Sequence, residues 1–335
     1  MVDFTVAIPT YNGANRLPDV LARLREQIQT EKFFWEIIIV DNNSTDCTAQ
    51  VVREYQGHWH SNCPLLYCFE PEQGAAFARD RAVREARGEL VGFLDDDTIP
   101  EYNWVAAAYK FGQEHPTVGA YGSQIHGEFE VEPPDNFDKL KVFLAIIERG
   151  ATAYQYELRK GILPPSAGLV VRRQAWLESV PSRLYLKGRT PDSMLGGEDI
   201  EAMAYMQGAG WEIWYNPEMT VNHKIPPQRM ERKYLLAVVR GSGLIRHHIR
   251  RIRTKIWLQP FIFPVYMAND LRKVMVHFMK YRMLLKTDLA AACEMEYLFS
   301  TLLSPFYLWG KELIDLADRF LSESSSACTS VTRKT

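Results

Sequence analysis

The chain lacks any apolar run long enough to make an ordinary membrane span. Its two most apolar stretches, 256–268 and 297–309, fall short of the ~20 residues such a helix needs, and Pro260, Pro264 and Pro305 interrupt them. They suit a peripheral or re-entrant membrane contact better. Cysteine is scarce: the five residues Cys47, Cys63, Cys68, Cys293 and Cys328 are odd in number, scattered, and without a C-x-x-C pair. Neither a disulfide framework nor a zinc site is indicated, and a reducing compartment is expected. The first residues show no basic, then apolar, then small-residue pattern, so no secretory leader is read and cytoplasmic residence is the expectation. Net charge is nearly missing too, at −2, with a pI of about 6.5, which argues against a nucleic-acid partner for the whole chain. No internal repeat is found.

What is present starts with bulk: 335 residues, 47% of them hydrophobic, suffice for two domains or for one large α/β domain with an appendage. The charge balance conceals an asymmetry. Residues 224–286 carry 15 Lys/Arg against only Glu231 and Asp270, a net +13, and leave −15 for the remainder. Four short apolar runs, at 5–9, 36–41, 65–70 and 89–95, alternate with longer segments of helical spacing, the pattern of β-α-β-α units on a parallel sheet. Ile37, Ile38, Ile39 and Val40 show no polar alternation, as a strand covered on both faces should. Beyond a helix starting near Pro100, the spacing predicts a strand at 118–125 and a looser acidic region at 128–138. A helix at 137–149, strands at 167–171 and 211–215, and a helix from Gly196-Gly197-Glu198-Asp199 to Gly208 complete this part. From about Pro226 the pattern is helical and basic: Ile245, Ile249, Ile252 and Ile256 form one apolar stripe, and Leu271, Val274, Met275, Phe278 and Leu285 another. Residues 322–335 are Ser/Thr-rich without apolar periodicity and read as a disordered tail.

Three of the early runs end in polar residues: Pro9-Thr10-Tyr11-Asn12, Asp41-Asn42-Asn43-Ser44 and Asp95-Asp96-Asp97. In open α/β sheets ligands collect outside the carboxyl ends of strands, so the three clusters are expected to share one crevice. Three successive carboxylates repel one another at neutral pH unless a cation is present. Strand alternation would aim Asp95 and Asp97 one way and Asp96 the other. Such a pair suits Mg²⁺ or Mn²⁺, which takes one or two carboxylates plus diphosphate oxygens and neutralises a polyanionic leaving group. A merely solvated acidic turn is the bland alternative, and the position after a buried strand weighs against it. Taken singly, Asp41 serves equally as a turn or capping residue. Arg79, beside Arg81, Arg84 and Arg87, reads as a solvated charge, a lone His223 is more often structural, and Trp176, Trp211 and Trp214 read as core.

The order Ala7-Ile8-Pro9-Thr10-Tyr11-Asn12, Ile39-Val40-Asp41-Asn42-Asn43-Ser44-Thr45-Asp46, Gly74 with Ala78-Arg79, and Phe93-Leu94-Asp95-Asp96-Asp97 resembles glycosyltransferase family 2 of the GT-A fold, over roughly 2–223. The resemblance implies an α/β fold, a Rossmann-like nucleotide-sugar-binding unit with a mixed central sheet. On this reading 1–225 is catalytic, with a nucleotide-binding half at 1–125 and an acceptor half at 126–225, and 226–321 is a basic amphipathic helical region. It also implies roles. Pro9, Thr10, Tyr11 and Asn12 would line the nucleoside pocket, and Asp41 would accept a hydrogen bond from the base. Arg79 would lie near the diphosphate, Asp95 and Asp96 near the nucleotide, and Asp97 would ligate the metal, with Asp95 as a second contact. One departure stands out: the family's Arg-Asn-x-Gly is Arg79-Asp80-Arg81-Ala82 here, which leaves only Arg79 of that signature.

Direct displacement at an anomeric carbon needs a base for the acceptor hydroxyl. Asp199 in Gly196-Gly197-Glu198-Asp199 is the best candidate, although acids at helix starts are also common for stability alone. The family's Glu-Asp pair at this point favours Asp199 as base, with Glu198 in support. Similar enzymes place a metal-ligating His after the following strand, which makes His223 a third ligand or a diphosphate contact. The whole implies an inverting hexosyltransferase-like enzyme that takes a nucleoside-diphosphate sugar, a UDP-sugar favoured, and delivers it to a saccharide or lipid-linked acceptor. It most resembles bacterial exopolysaccharide enzymes, the cyanobacterial hormogonium type among them. The basic helices imply a membrane surface as a partner, at the inner face of the plasma membrane. Two other classes are weighed: a nucleotidyltransferase, which would want a Gly-rich basic loop where Pro9-Thr10-Tyr11-Asn12-Gly13 stands, and a non-catalytic nucleotide-sugar-binding scaffold.

Overall fold

A computed structural model describes residues 2–59, 63–157, 162–190 and 193–331. β1 (Phe4–Thr10) leads through α1 (Leu17–Arg25) to β2 (Trp35–Asp41), and α2 (Thr48–Gly57) leads to β3 (Leu65–Phe69). α3 (Ala75–Glu85) returns the chain to β4 (Leu90–Phe93). The four strands lie side by side as β3-β2-β1-β4, all parallel, as the alternation of runs predicts. β2 is buried along its whole length, which accounts for its lack of polar alternation. In α1 the buried side chains Leu17, Val20, Leu21 and Leu24 recur every three or four residues, a single apolar stripe behind a proline in the first turn.

β5 (Thr98–Pro100), α4 (Trp104–Glu114), β6 (Val118–Phe129), β7 (Tyr154–Gln155), β8 (Val170–Arg172), α5 (Arg173–Ser179), α6 (Glu198–Gly208) and β9 (Glu212–Ile225) extend the sheet. The order becomes β3-β2-β1-β4-β8-β6-β9-β5, with β8 antiparallel to both neighbours and β6 parallel to β9, so the sheet is mixed. β7 and β5 pair with different parts of the long β9. Register brings the polar strand ends together: Thr10 lies opposite Asp41, and the Leu94 amide donates to the Ala7 carbonyl at 3.0 Å.

The helix expected at 137–149 is replaced by two short 3₁₀ turns, Phe137–Lys139 and Lys141–Leu144, between Asn136 and Ala145, both at positive φ. Phe137, Leu140 and Leu144 are buried, so the helical spacing is satisfied by successive tight turns. Ile147 then makes a β-bridge to Ile125, which a helix would forbid.

Contacts divide the chain into a unit Met1–Val238 and a unit Val239–Thr335, a division that falls within α7 (Arg232–Leu244). The second unit holds α8 (Arg246–Arg253), α9 (Gln259–Tyr281) and α10 (Leu289–Val331). Two expectations change there. The stripe Ile245, Ile249, Ile252, Ile256 breaks because α8 stops at Arg253; Ile245 and Ile249 are buried while Ile256 is exposed. On α9 the apolar stripe faces outward: Leu271, Met275 and Phe278 are exposed, and Asp270 and His277 are buried instead. The inversion has partners to sustain it. Arg250 grips both carboxylate oxygens of Asp270, with Nη2 3.0 Å from Oδ1, and His277 Nε2 lies 2.9 Å from the Ala291 carbonyl. The expected tail from Ser322 is helical as far as Val331, and 332–335 lie outside the described residues. No helix among the described residues is long and apolar enough to cross a membrane.

Candidate active site

The loop after β1 is built around close approach. Thr10 Oγ1 donates to Asp96 Oδ2 at 2.6 Å, and Arg16 reaches the same carboxylate with Nε at 2.8 Å and Nη2 at 2.9 Å. A Cβ on Gly13 would sit 2.0 Å from Thr10 Oγ1 and 2.6 Å from Asp96 Oδ2, so only glycine lets the backbone pass here. Arg16 also donates to the Tyr11 carbonyl at 3.1 Å. Asn12, at φ 49°, ties this loop to the one after β2: its amide donates to Ser44 Oγ at 2.9 Å and its Oδ1 accepts from the Thr45 amide at 2.8 Å. Pro9 lies opposite Val40 in the β1–β2 register. Asp41 is buried and accepts from the Ser44 amide at 2.9 Å and from the Tyr67 hydroxyl at 2.8 Å.

Asn42 continues the chain of supports. Its Oδ1 accepts the Gly74 amide at 2.8 Å and so fixes the start of α3. Gly74, at φ 141°, has no room for a Cβ, which would lie 2.6 Å from the Lys187 carbonyl. One turn into α3 stands Arg79, 5% exposed and therefore not the solvated charge its composition suggests. Its guanidinium bridges Asp95, at 3.1 Å, and Glu198 at the start of α6, while its Nε has no partner among the described residues.

The three aspartates do not follow strand alternation, because β4 ends at Phe93 and the Thr98 amide donates to the Asp95 carbonyl at 3.0 Å, closing a turn. Each carboxylate finds a different arginine. Asp95 goes to Arg79, Asp96 to Arg16, and Asp97 to Arg229, whose Nη2 donates to Oδ2 at 2.6 Å.

Asp97 also meets His223. β5 starts directly after Asp97 and pairs with β9, placing Thr98 opposite His223. Asp97 Oδ2 and His223 Nε2 lie 3.6 Å apart. His223 Nδ1 is 2.9 Å from the Leu144 carbonyl, and Arg229 Nη1 is 2.7 Å from Nε2. A guanidinium only donates and a carbonyl only accepts, so Nδ1 carries the proton and Nε2 presents its lone pair. A backbone carbonyl fixing the far nitrogen is how metal-binding histidines are commonly oriented. Burial pushes the Asp97 carboxyl up, but His223 in its protonated form and the permanently charged Arg229 more than reverse this and hold it well below the usual carboxylate range. One carboxylate and one imidazole, both buried, are ligand types that Mg²⁺ or Mn²⁺ accepts, and an ion between them would take the place of the Arg229 guanidinium that donates to both. Among the described residues no set of three His, Cys, Asp or Glu side chains converges as a complete metal cage.

Asp199 follows Glu198 in the first turn of α6, after Gly197 at φ 93°. Its Oδ2 accepts the Ser166 amide at 2.9 Å and its Oδ1 the Ile200 amide at 2.8 Å. Glu201, one turn on, accepts the Tyr185 and Leu186 amides at 3.1 and 2.8 Å and so anchors the segment against which Gly74 packs. Trp176 is core, as expected; Trp211 and Trp214 are half-buried. Neither Arg16 nor Arg229 stands out in the sequence pattern. Arg229 belongs to the basic stretch and carries no local signal that separates it from the others.

Comparison with known proteins agrees with this architecture. The family model Glycosyl transferase family 2 matches residues 5–175. Uncharacterized glycosyltransferase YfnE of Bacillus subtilis is 30% identical over 144 residues, 41% of this chain and 35% of the relative, so the chain spans about a third of that protein. Glycosyltransferase AglE of Haloferax volcanii is 23% identical over 287 residues, 80% of this chain and 85% of the relative. Among solved structures, the mannosyltransferase PcManGT from Pyrobaculum calidifontis, in complex with GDP-Man and Mn²⁺, has the same fold: the TM-score is 0.58 at 20% identity, over 92% of this chain and 87% of that one. With the family model covering half the sequence and the strand ends gathered as that fold requires, the chain belongs to glycosyl transferase family 2 and is a glycosyltransferase.

Proposed function

We propose that the enzyme transfers a sugar from a nucleoside diphosphate to an acceptor hydroxyl in one inverting displacement, assisted by Mg²⁺ or Mn²⁺, in the assembly of a surface polysaccharide. The observation that carries this reading is the meeting of Asp97 and His223, 126 positions apart in the sequence, with Oδ2 and Nε2 3.6 Å apart and both within reach of Arg229. Asp97 and His223 would hold the ion, and the bound ion would supply positive charge to the departing diphosphate. Arg16, Arg79 and Arg229, paired in turn with Asp96, Asp95 and Asp97, place guanidinium groups along the strand end that would suit a polyanionic donor. Thr10, Tyr11, Asn12 and Asp41 stand where the loops after β1 and β2 meet, the position for a nucleoside at the carboxyl end of a sheet.

Asp199 takes the acceptor proton in this scheme. Its neighbour Glu198 is held by Arg79, so it positions the start of α6 relative to Asp95 and leaves the proton transfer to Asp199. The presence of GDP-Man and Mn²⁺ in the PcManGT complex supports a nucleotide-sugar donor and a divalent ion for this chain as well. The acceptor is a saccharide or a lipid-linked saccharide. Incubating the protein with Mn²⁺ and a panel of UDP- and GDP-sugars, then measuring nucleoside diphosphate release, tests the reading. Release with at least one donor, lost in Asp97→Ala and in Asp199→Asn, is expected. Full activity of both variants would reject the assignment.

A further inference from the structure

α9 is amphipathic the wrong way round for a helix that packs on a protein core. The side chains it buries include Asp270, 2% exposed and paired with Arg250, and His277, 5% exposed. At 3.6 residues per turn, Phe261, Val265, Met275, Val276 and Met279 fall within roughly a third of the circumference on the opposite side. All five are exposed, Phe261 to 73% and Val265 to 65%. Just before the helix, Ile256 and Trp257 are exposed as well. An outward apolar face of this length marks an interaction surface.

The charge around it selects the occupant. Arg272 lies within the apolar arc, Lys273 and Lys280 flank it, and Lys255, Arg282 and Lys286 stand at its two ends, all exposed. Between 255 and 287 the only acid is Asp270, which is buried against Arg250 and so contributes nothing outward. Two copies of this face laid together would oppose like charges, which disfavours a second copy of the chain. No described helix is suited to crossing a bilayer. An apolar arc edged by long basic side chains and aromatic residues, with its polar groups satisfied inside the protein, matches a helix lying in the plane of a lipid surface.

We infer that the outward face of α9 docks on an anionic lipid surface, with Phe261, Val265, Met275, Val276 and Met279 entering the headgroup boundary and the flanking lysines meeting lipid phosphates. The inference is independent of the transfer chemistry, because none of these residues belongs to the catalytic unit.

The test is co-sedimentation of the full chain with phosphatidylcholine vesicles, with and without phosphatidylglycerol, at low and high salt. Binding to the anionic vesicles alone, weakened by salt, is expected. The double substitution Phe261→Glu with Met279→Glu should lower partitioning at least about tenfold, and Lys273→Glu or Lys280→Glu about fivefold each. Circular dichroism and nucleoside diphosphate release without vesicles check that the variants fold and that the catalytic unit is intact. Absence of vesicle binding, or binding indifferent to Phe261→Glu with Met279→Glu, overturns the inference. So does a wild-type chain that self-associates in light scattering, becomes monomeric with that double substitution, and never binds lipid.

Discussion

The strand ends of the catalytic unit and the helix α9 of the second unit both bury charge, and they do so to opposite effect. At the strand ends the surrounding core is apolar, and the buried carboxylates of Asp96, Asp97 and Glu198 are matched by arginines. In α9 the charge faces inward and the apolar side chains face out. The difference teaches that periodicity tells which residues share a face, whereas the available partners decide which face is buried. Asp270 goes inside because Arg250 is there to receive it, and the stripe of Leu271, Met275 and Phe278 is turned away as a result.

Variants can break or sharpen this contrast. The largest effect is expected from Asp199→Asn, which should lower turnover by about 10²–10⁴-fold with little change in stability, as for loss of a general base. A steady-state assay with the identified donor and a thermal melt measure the two together. Arg79→Met comes next. It leaves Glu198 buried without its counter-charge, and urea unfolding should report a loss of about 3–5 kcal/mol. A stability close to wild type would mean that the Asp95–Arg79–Glu198 bridge is dispensable. Asp270→Asn removes the corresponding charge from α9, but Arg250 is partly exposed and also stacks on Tyr266 at 4.6 Å, so the expected loss is smaller, about 1.5–3 kcal/mol. If the two losses were equal, the difference between the regions would be one of appearance only.

The smallest effect concerns pH. The Tyr67 hydroxyl, pushed up to about 12 by burial and by its hydrogen bond to Asp41, ionises at higher pH when folded than when unfolded. Its contribution is therefore present below the ordinary tyrosine range and is lost as pH rises toward 12. The stability difference between wild type and Tyr67→Phe should narrow across that interval in denaturant titrations, and a constant difference would count against the hydrogen bond.

Much of the sheet was legible because strands buried on both faces leave no polar alternation, as at Ile37, Ile38, Ile39 and Val40, and because their polar ends mark one edge. The turn at Asp95, Asp96 and Asp97 was not, since alternation presumes a strand that in fact stops at Phe93. Arg79 carried a signal in retrospect. It shares a helix face with Ala76, Ala82 and Val83, all buried, whereas Arg81 and Arg84 do not. Arg16 and Arg229 carried none, because what fixes them is the pairing of β5 with β9 and the turn after β1, and these are long-range facts.

Binding of manganese in the presence of UDP or GDP, followed by the loss of the free-ion electron paramagnetic resonance signal, bears most directly on the central claim. The account predicts one bound ion per wild-type chain, and binding strongly weakened in Asp97→Ala and in His223→Ala. Undiminished binding in both variants would contradict it.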